Sequence, residues 1–305
     1  MQRYILRRVS YALISLVLLS ITIFCLVRIT GDPAVLMAEP GANEADLQII
    51  RKEFGLDKPW PVQYVHFVSS LVQGDFGISI YYRVPAFDLY LQQLPASLLL
   101  ASVAMAFSLI LGIPIGILSA VRLNTWFDNF GKIFAILGLS LPSFWVGLIL
   151  ILLLSVSLGW LPSSGSGTFL HLLMPAFSLG WVFTAAYTRL TRSAMLEVLG
   201  SEYIKLARIK GLSEKLVIGK HAFKNAIIPV LTLAGINLVL MVNVAVVVES
   251  VFAWPGIGRL LYEGIAFRDF PVVQTTVLLG GVMIVVVNLF VDILYAYIDP
   301  RIHYG

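Results

Sequence analysis

Five mainly apolar stretches, Val9–Val27, Leu94–Val121, Phe130–Leu158, Ala226–Val248 and Val272–Ile298, are each long enough to cross a bilayer as a helix. In hydrocarbon every backbone amide must find its partner within the protein. A run of ~20 apolar residues, covering ~30 Å, is therefore read as a spanning α-helix. A sixth stretch, Leu170–Leu190, is weaker because it contains Pro175, Thr184 and Thr188. The pattern predicts an all-α integral membrane protein with six transmembrane helices. Composition agrees: mean hydropathy is +0.90 and only 12% of residues are charged, against roughly a quarter in soluble domains.

Orientation follows from the loops. Segments 1–8, 122–132, 189–224 and 299–305 hold fourteen of the 21 Lys and Arg residues, and basic residues beside spans stay in the cytoplasm. The opposite loop Gly159–Phe169 carries no charge. Both termini are therefore expected to be cytoplasmic. Arg3, Arg7 and Arg8 before the first span resemble a signal peptide. The apolar run exceeds the 7–15 residues of a signal core, however, so an uncleaved span is expected.

The sequence divides into an N-terminal span (1–29), an extracytoplasmic segment (30–93) and a five-span core (94–305). The outer segment is too long for a bare connector. Glu44–Phe54 has helical spacing, and Trp60, Tyr64, Phe67 and Phe76 are expected to pack it onto the membrane face. Within the core, Thr191–Asn225 is a basic cytoplasmic excursion. Its apolar residues, among them Ile204, Leu206, Ala207, Leu212 and Val217, suggest two short helices broken near Gly211.

Energy-yielding chemistry is missing from the chain. Gly131-Lys132 and Gly219-Lys220 are followed by Ile and His, so no G-x-x-x-x-G-K-[ST] phosphate loop occurs. The histidines, His66, His171, His221 and His303, lack metal-ligand spacing, and the one cysteine, Cys25, reads as a small buried hydrophobe. Gly138-Leu139-Ser140 has the form of a nucleophile site, but no histidine base lies in the later spans to activate Ser140. No catalytic residue and no metal site are assigned. Gly112-x-x-x-Gly116 reads as a close helix–helix approach. Thr232, Asn237, Asn243 and Asn288 are polar groups inside late spans, costly in lipid, and are expected to face the bundle or a water-filled route.

The excursion also carries a resemblance. Ser201-Glu202-Tyr203-Ile204-Lys205-Leu206-Ala207-Arg208-Ile209-Lys210-Gly211-Leu212-Ser213 resembles the ATPase-contacting loop of ABC importer permeases, nearest the dipeptide, oligopeptide, glutathione and nickel group. Further matches run in order along the chain: Arg3–Arg8, Gly31-Asp32-Pro33-Ala34, Gly55–Pro59, Gly74-Asp75-Phe76-Gly77, Leu94-Pro95-Ala96, Glu249–Phe252, Trp254–Gly258 and Asp292–Tyr295. The long outer segment resembles the first of that group's two permease types. Lys205 and Leu206 depart from the wider importer pattern, which has Glu and Ala there.

The resemblance implies a type I ABC importer permease fold with a cytoplasmic coupling helix, in the bacterial inner membrane. It implies half of a translocation path for small peptides, with a stand-alone secondary carrier or channel as the alternative. Glu202, Tyr203, Ala207, Arg208, Gly211 and Leu212 become the coupling residues, with Ala207 expected against the partner and Glu202 paired with Arg208 or a partner base. The implied partners are a second, homologous permease in a heterodimer, two ABC ATPase subunits, an extracytoplasmic binding protein and membrane lipid. Nucleic acid is not among them. ATP and Mg are expected on the ATPases and no cofactor in this chain.

Overall fold

The computed structural model describes residues 2–30, 34–35, 38, 43–53 and 55–298, with the backbone alone at 2–5, 30, 53 and 290–298. The turn Gly31-Asp32-Pro33, the side chains of Asp292–Tyr295, and residues 299–305 with His303 lie outside what is described.

The described residues are helical almost throughout. In order, α1 is Gln2–Thr30, α2 Glu44–Glu53, α3 Trp60–Val72, α4 Ala86–Val121 and α5 Trp126–Ser140. Helix α6, Ser143–Leu150, runs on as a π-helical stretch, Ile151–Ser157. Then come α7 (Phe169–Leu199), α8 (Glu202–Ile209) and α9 (Glu214–Leu216), the last continued by the π turn Val217–Ala222. Finally α10 is Phe223–Val251, α11 Ile257–Ala266 and α12 Phe270–Ile298. Among the described residues five helices are apolar and long enough to cross a membrane, and a sixth span is obtained if α5 and α6 count as one.

That pair corrects the expectation of a plain span over Phe130–Leu158. The two helices meet at 103°. A proline pushes the residue before it into extended backbone, and Pro142 does so here. Leu141 has φ −91°, ψ 123°, and Pro142 itself has ψ 141°. Helical bonding stops with Leu141 N–H donating to Leu137 O and restarts with Val146 N–H donating to Pro142 O.

By contacts the chain forms two compact units, one of Met1–Pro95 with Gly256–Gly305, the other Ala96–Pro255. In the first, α1 packs against α12 and α3 returns along α1. Phe24 meets Tyr64 edge-on at 5.3 Å and Phe67 at 5.7 Å, while Ser20 and Tyr64 share a 2.8 Å hydrogen bond. The aromatic residues of the outer segment thus divide. Tyr64 and Phe67 bind α1, Phe76 stacks on Phe87, and Trp60 stays exposed. The turn before α12 is capped by Asp269, whose carboxylate accepts from Ser79 Oγ and from the amides of Tyr81 and Val272. Tyr82 donates to Glu263 at 2.6 Å. Burial, reinforced by that carboxylate, raises the Tyr82 phenol above the ordinary range.

In the second unit α7 is central. Half of its most apolar window is buried, against 17% for α1, so α7 meets protein while α1 leaves most of its surface uncovered by its own chain. Neighbours approach α7 to backbone distance. A Cβ on Gly112 would lie 2.8 Å from Thr184 O, and one on Gly116 2.7 Å from Thr188 O. The Gly112/Gly116 pair is therefore a close contact between α4 and α7, as the sequence predicts.

Candidate coupling surface

Helix α7 ends at Gly200, and Ser201 restarts the chain in extended backbone (φ −72°, ψ 154°) before α8. Two faces are written into α8 by its 3.6-residue period. Ile204 and Ala207 turn inward onto Ala194 and Met195 of α7, Ala120 of α4, Val217 and Ala222 after α9, and Ala226 of α10. Tyr203, Leu206 and Ile209 turn outward, Ile209 being 80% exposed. Lys205, Arg208 and Lys210 surround them, all exposed.

The turn after α8 is a Schellman closure. Leu212 N–H donates to Ala207 O at 3.3 Å and Gly211 N–H to Arg208 O at 2.9 Å. Gly211 takes the left-handed conformation this closure requires, φ +78°. A Cβ there would meet nothing within 4 Å, so substitution costs only backbone strain, roughly 1–2 kcal/mol. Leu212 is half-buried and packs on the same cluster as Ala207. Arg208 then clasps the turn, its Nε 2.8 Å and Nη2 3.3 Å from the Glu214 carboxylate. Tyr203 OH accepts from Asn225 Nδ2 at 2.8 Å, tying α8 to the start of α10. The expected break near Gly211 is present, but the second helix runs straight into a span. Glu214–Val251 is one helical course of 38 residues.

Two sequence expectations change here. Ala207 lies against its own chain, 8% exposed before any partner binds, because its position three residues after Ile204 places it on the inner face. Glu202 pairs with Lys205 at 2.7 Å, since Arg208 is already taken by Glu214. Leu206 and Ile209, not counted among the coupling residues from the sequence, are the apolar groups the helix presents. Their helical spacing opposite Ile204 and Ala207 is the signal that reveals them.

Between α4, α5 and α7 lies a charge cluster that the sequence pattern does not reveal. Asp128, fully buried in the first turn of α5, accepts from Arg192 of α7 at 2.7 and 3.2 Å and from Ser119 of α4 at 2.8 Å. It also accepts from the Asn124 amide at 3.1 Å and pairs with Lys132 at 2.8 Å. Three helices and one loop meet on this carboxylate. Asp128 and Arg192 are 64 residues apart, and no local pattern links them.

The four polar residues expected to face the bundle or route are held in different ways. Asn237 is buried and its Nδ2 donates to Tyr187 OH at 3.2 Å. Asn243 donates to Val239 O of its own helix. Thr232 is half-buried, and Asn288, in the other compact unit, is exposed. Ser140 likewise bonds within its own helix, to Ile136 O. Among the described residues no three His, Cys, Asp or Glu side chains are grouped to hold a metal.

Known proteins resemble this chain along its length. Residues 112–304 match the family described as binding-protein-dependent transport system inner membrane component, and residues 1–93 match the N-terminal part of such membrane components. The glutathione transport system permease protein GsiC of Pectobacterium atrosepticum is 40% identical over 305 residues, all of both chains. That of Escherichia coli K12 is 39% identical over the same span. Among solved structures, the MetNI methionine ABC transporter in an inward-facing conformation superposes with TM-score 0.57. There the identity is 20%, over 69% of this chain and 96% of that one.

Proposed function

Since this chain belongs to the binding-protein-dependent transport system inner membrane components, and is a permease subunit of an ATP-driven importer, we propose that its cargo is a small peptide of the glutathione kind. It forms half of the path, paired with a second, homologous permease, and takes cargo from an extracytoplasmic binding protein. Helix α8 couples it to one of two ATPase subunits, which hold the ATP and Mg. The chain itself performs no bond chemistry. Full-length identity to glutathione permeases supports the cargo.

The observation that carries the coupling role is the outward face of α8. Leu206 and Ile209 are exposed on a helix whose other face is already buried. Apolar groups ringed by Lys210 and by the ion pairs Lys205–Glu202 and Arg208–Glu214 suit the apolar cleft and polar rim of a soluble partner. Replacing Leu206 and Ile209 together by Asp is expected to weaken ATPase association by about 2 kcal/mol or more, roughly thirtyfold. The permease should insert at its normal level while ATPase recovery on co-purification collapses and uptake stops. Undiminished co-purification would remove α8 from the interface. Of the path residues, Thr232, Asn243 and Asn288 are assigned to the route or the second permease, and Asn237 to the route's wall.

The reading also places both termini in the cytoplasm and counts α5 with α6 as one span. In a Cys25→Ser background, Ser213→Cys is expected to label only from the cytoplasmic side and Ser164→Cys only from outside. Leu123→Cys should side with Ser213→Cys. If Leu123→Cys labels with Ser164→Cys instead, the bent pair is re-entrant and the six-span count fails.

A further inference from the structure

The inner end of α7 faces a cavity of about 460 Å³ walled by Leu139, Leu190 and Leu233, with Arg189, Arg192 and Ser193 as its polar members. The two arginines differ. Arg192 is held in two-point contact by Asp128 and its charge is answered there. Arg189 is exposed to the cavity and has no hydrogen bond or ion pair among the described residues. Asp128 must also serve Lys132, so the surroundings carry excess positive charge.

Arg189 lies about 30 Å along α7 from Phe169, one hydrocarbon thickness from the outer end of the helix. That puts Arg189 at the inner boundary of the membrane, where it lines the cavity with no partner among the described residues. The hollow has the volume of a small-molecule site.

Resting on the small-peptide reading above, we propose that Arg189 receives the carboxylate of the cargo at the inner mouth of the path. A guanidinium presents a flat pair of donors that matches a carboxylate. Leu139, Leu190 and Leu233 give the aliphatic part of a peptide an apolar wall, and the Ser193 hydroxyl can bond a peptide amide. An ion pair to another subunit, by contrast, needs no hollow of this size.

The test uses the complete importer in inside-out membrane vesicles, with Cys25→Ser and the reporter Ser193→Cys alkylated by a neutral maleimide. Millimolar S-methylglutathione, which has no free thiol, is expected to slow alkylation about fivefold. Its dicarboxamide analogue should leave the rate unchanged. Arg189→Gln should abolish the protection and Arg189→Lys should retain a good part of it, since the charge persists.

Equal protection by acid and amide, or protection surviving Arg189→Gln, overturns the proposal. So does loss of the partner subunits from Arg189→Gln, which would make Arg189 an intersubunit ion pair. A ligand-free alkylation rate that changes when phosphatidylcholine vesicles are given phosphatidylglycerol overturns it too, in favour of a lipid headgroup. Uptake of S-methylglutathione by the unmodified importer is measured alongside. Without uptake the small-peptide reading fails; uptake without protection sinks only the role of Arg189.

Discussion

Replacing Ala207 by Asp is expected to unfold the cytoplasmic turn around α8 before it affects any partner. Ala207 is 8% exposed and belongs to a buried cluster of apolar groups from α4, α7, α8 and the start of α10. A carboxylate placed there has no cation on its own face of the helix, because Arg208 is committed to Glu214 and Lys205 to Glu202. Burying an unpaired charge, or protonating it to avoid doing so, costs about 3 kcal/mol or more. A segment held by one small cluster cannot absorb that. Protease added to inside-out vesicles should therefore cut Ala207→Asp between α8 and α10, with little intact permease recovered. The pair Leu206→Asp and Ile209→Asp should resist cleavage as the parent does, since both sites face water. Protease resistance in Ala207→Asp together with lost ATPase binding would return Ala207 to the interface.

How much of this was legible in the sequence depended on whether the cause was local. Spanning helices declare themselves because hydropathy summed over ~20 residues is a local quantity. Gly211 was legible because a helix stop needs a residue that tolerates positive φ, and only its immediate neighbours decide that. Prolines were not. Pro95, Pro114, Pro175 and Pro229 all remain inside continuous helices, yet Pro142 turns the chain through 103°. Neighbouring groups settle whether a freed carbonyl is satisfied, and the local composition of these segments does not distinguish them. The face of Ala207 was misjudged for a related reason. A family motif says that α8 meets a partner, whereas which side of α8 is free depends on what α4, α7 and α10 already cover.

Loss of Asp128 should be the most damaging single change outside α8. Its carboxylate is wholly buried and receives Arg192, Ser119, Lys132 and the Asn124 amide. Asp128→Ala strands the Arg192 guanidinium, 23% exposed, beside apolar groups at the base of α7. Breaking one side of such a pair costs about 3–5 kcal/mol, and partial exposure of Arg192 places the expected loss near the lower figure. Lys132 is 42% exposed and can turn to water, so Lys132→Ala should cost below ~1 kcal/mol. Asp128→Asn loses the charge and one of the two acceptor oxygens, but its remaining oxygen can still accept from the Asn124 amide, and it should fall between. Purified permease heated at one fixed scan rate should show midpoints in that order, because unfolding of such a protein is irreversible and only matched scans compare. Removing both charges together, as Asp128→Ala with Arg192→Leu, leaves no buried ion and should recover part of the loss. If the double variant is as unstable as Asp128→Ala alone, the cost lies in the lost packing of α4 and α5, and the stranded charge is not its cause. Either way α7 is the helix that continues through Gly200 into α8. A loosened base should therefore uncouple ATP hydrolysis from uptake at temperatures where the permease is still folded.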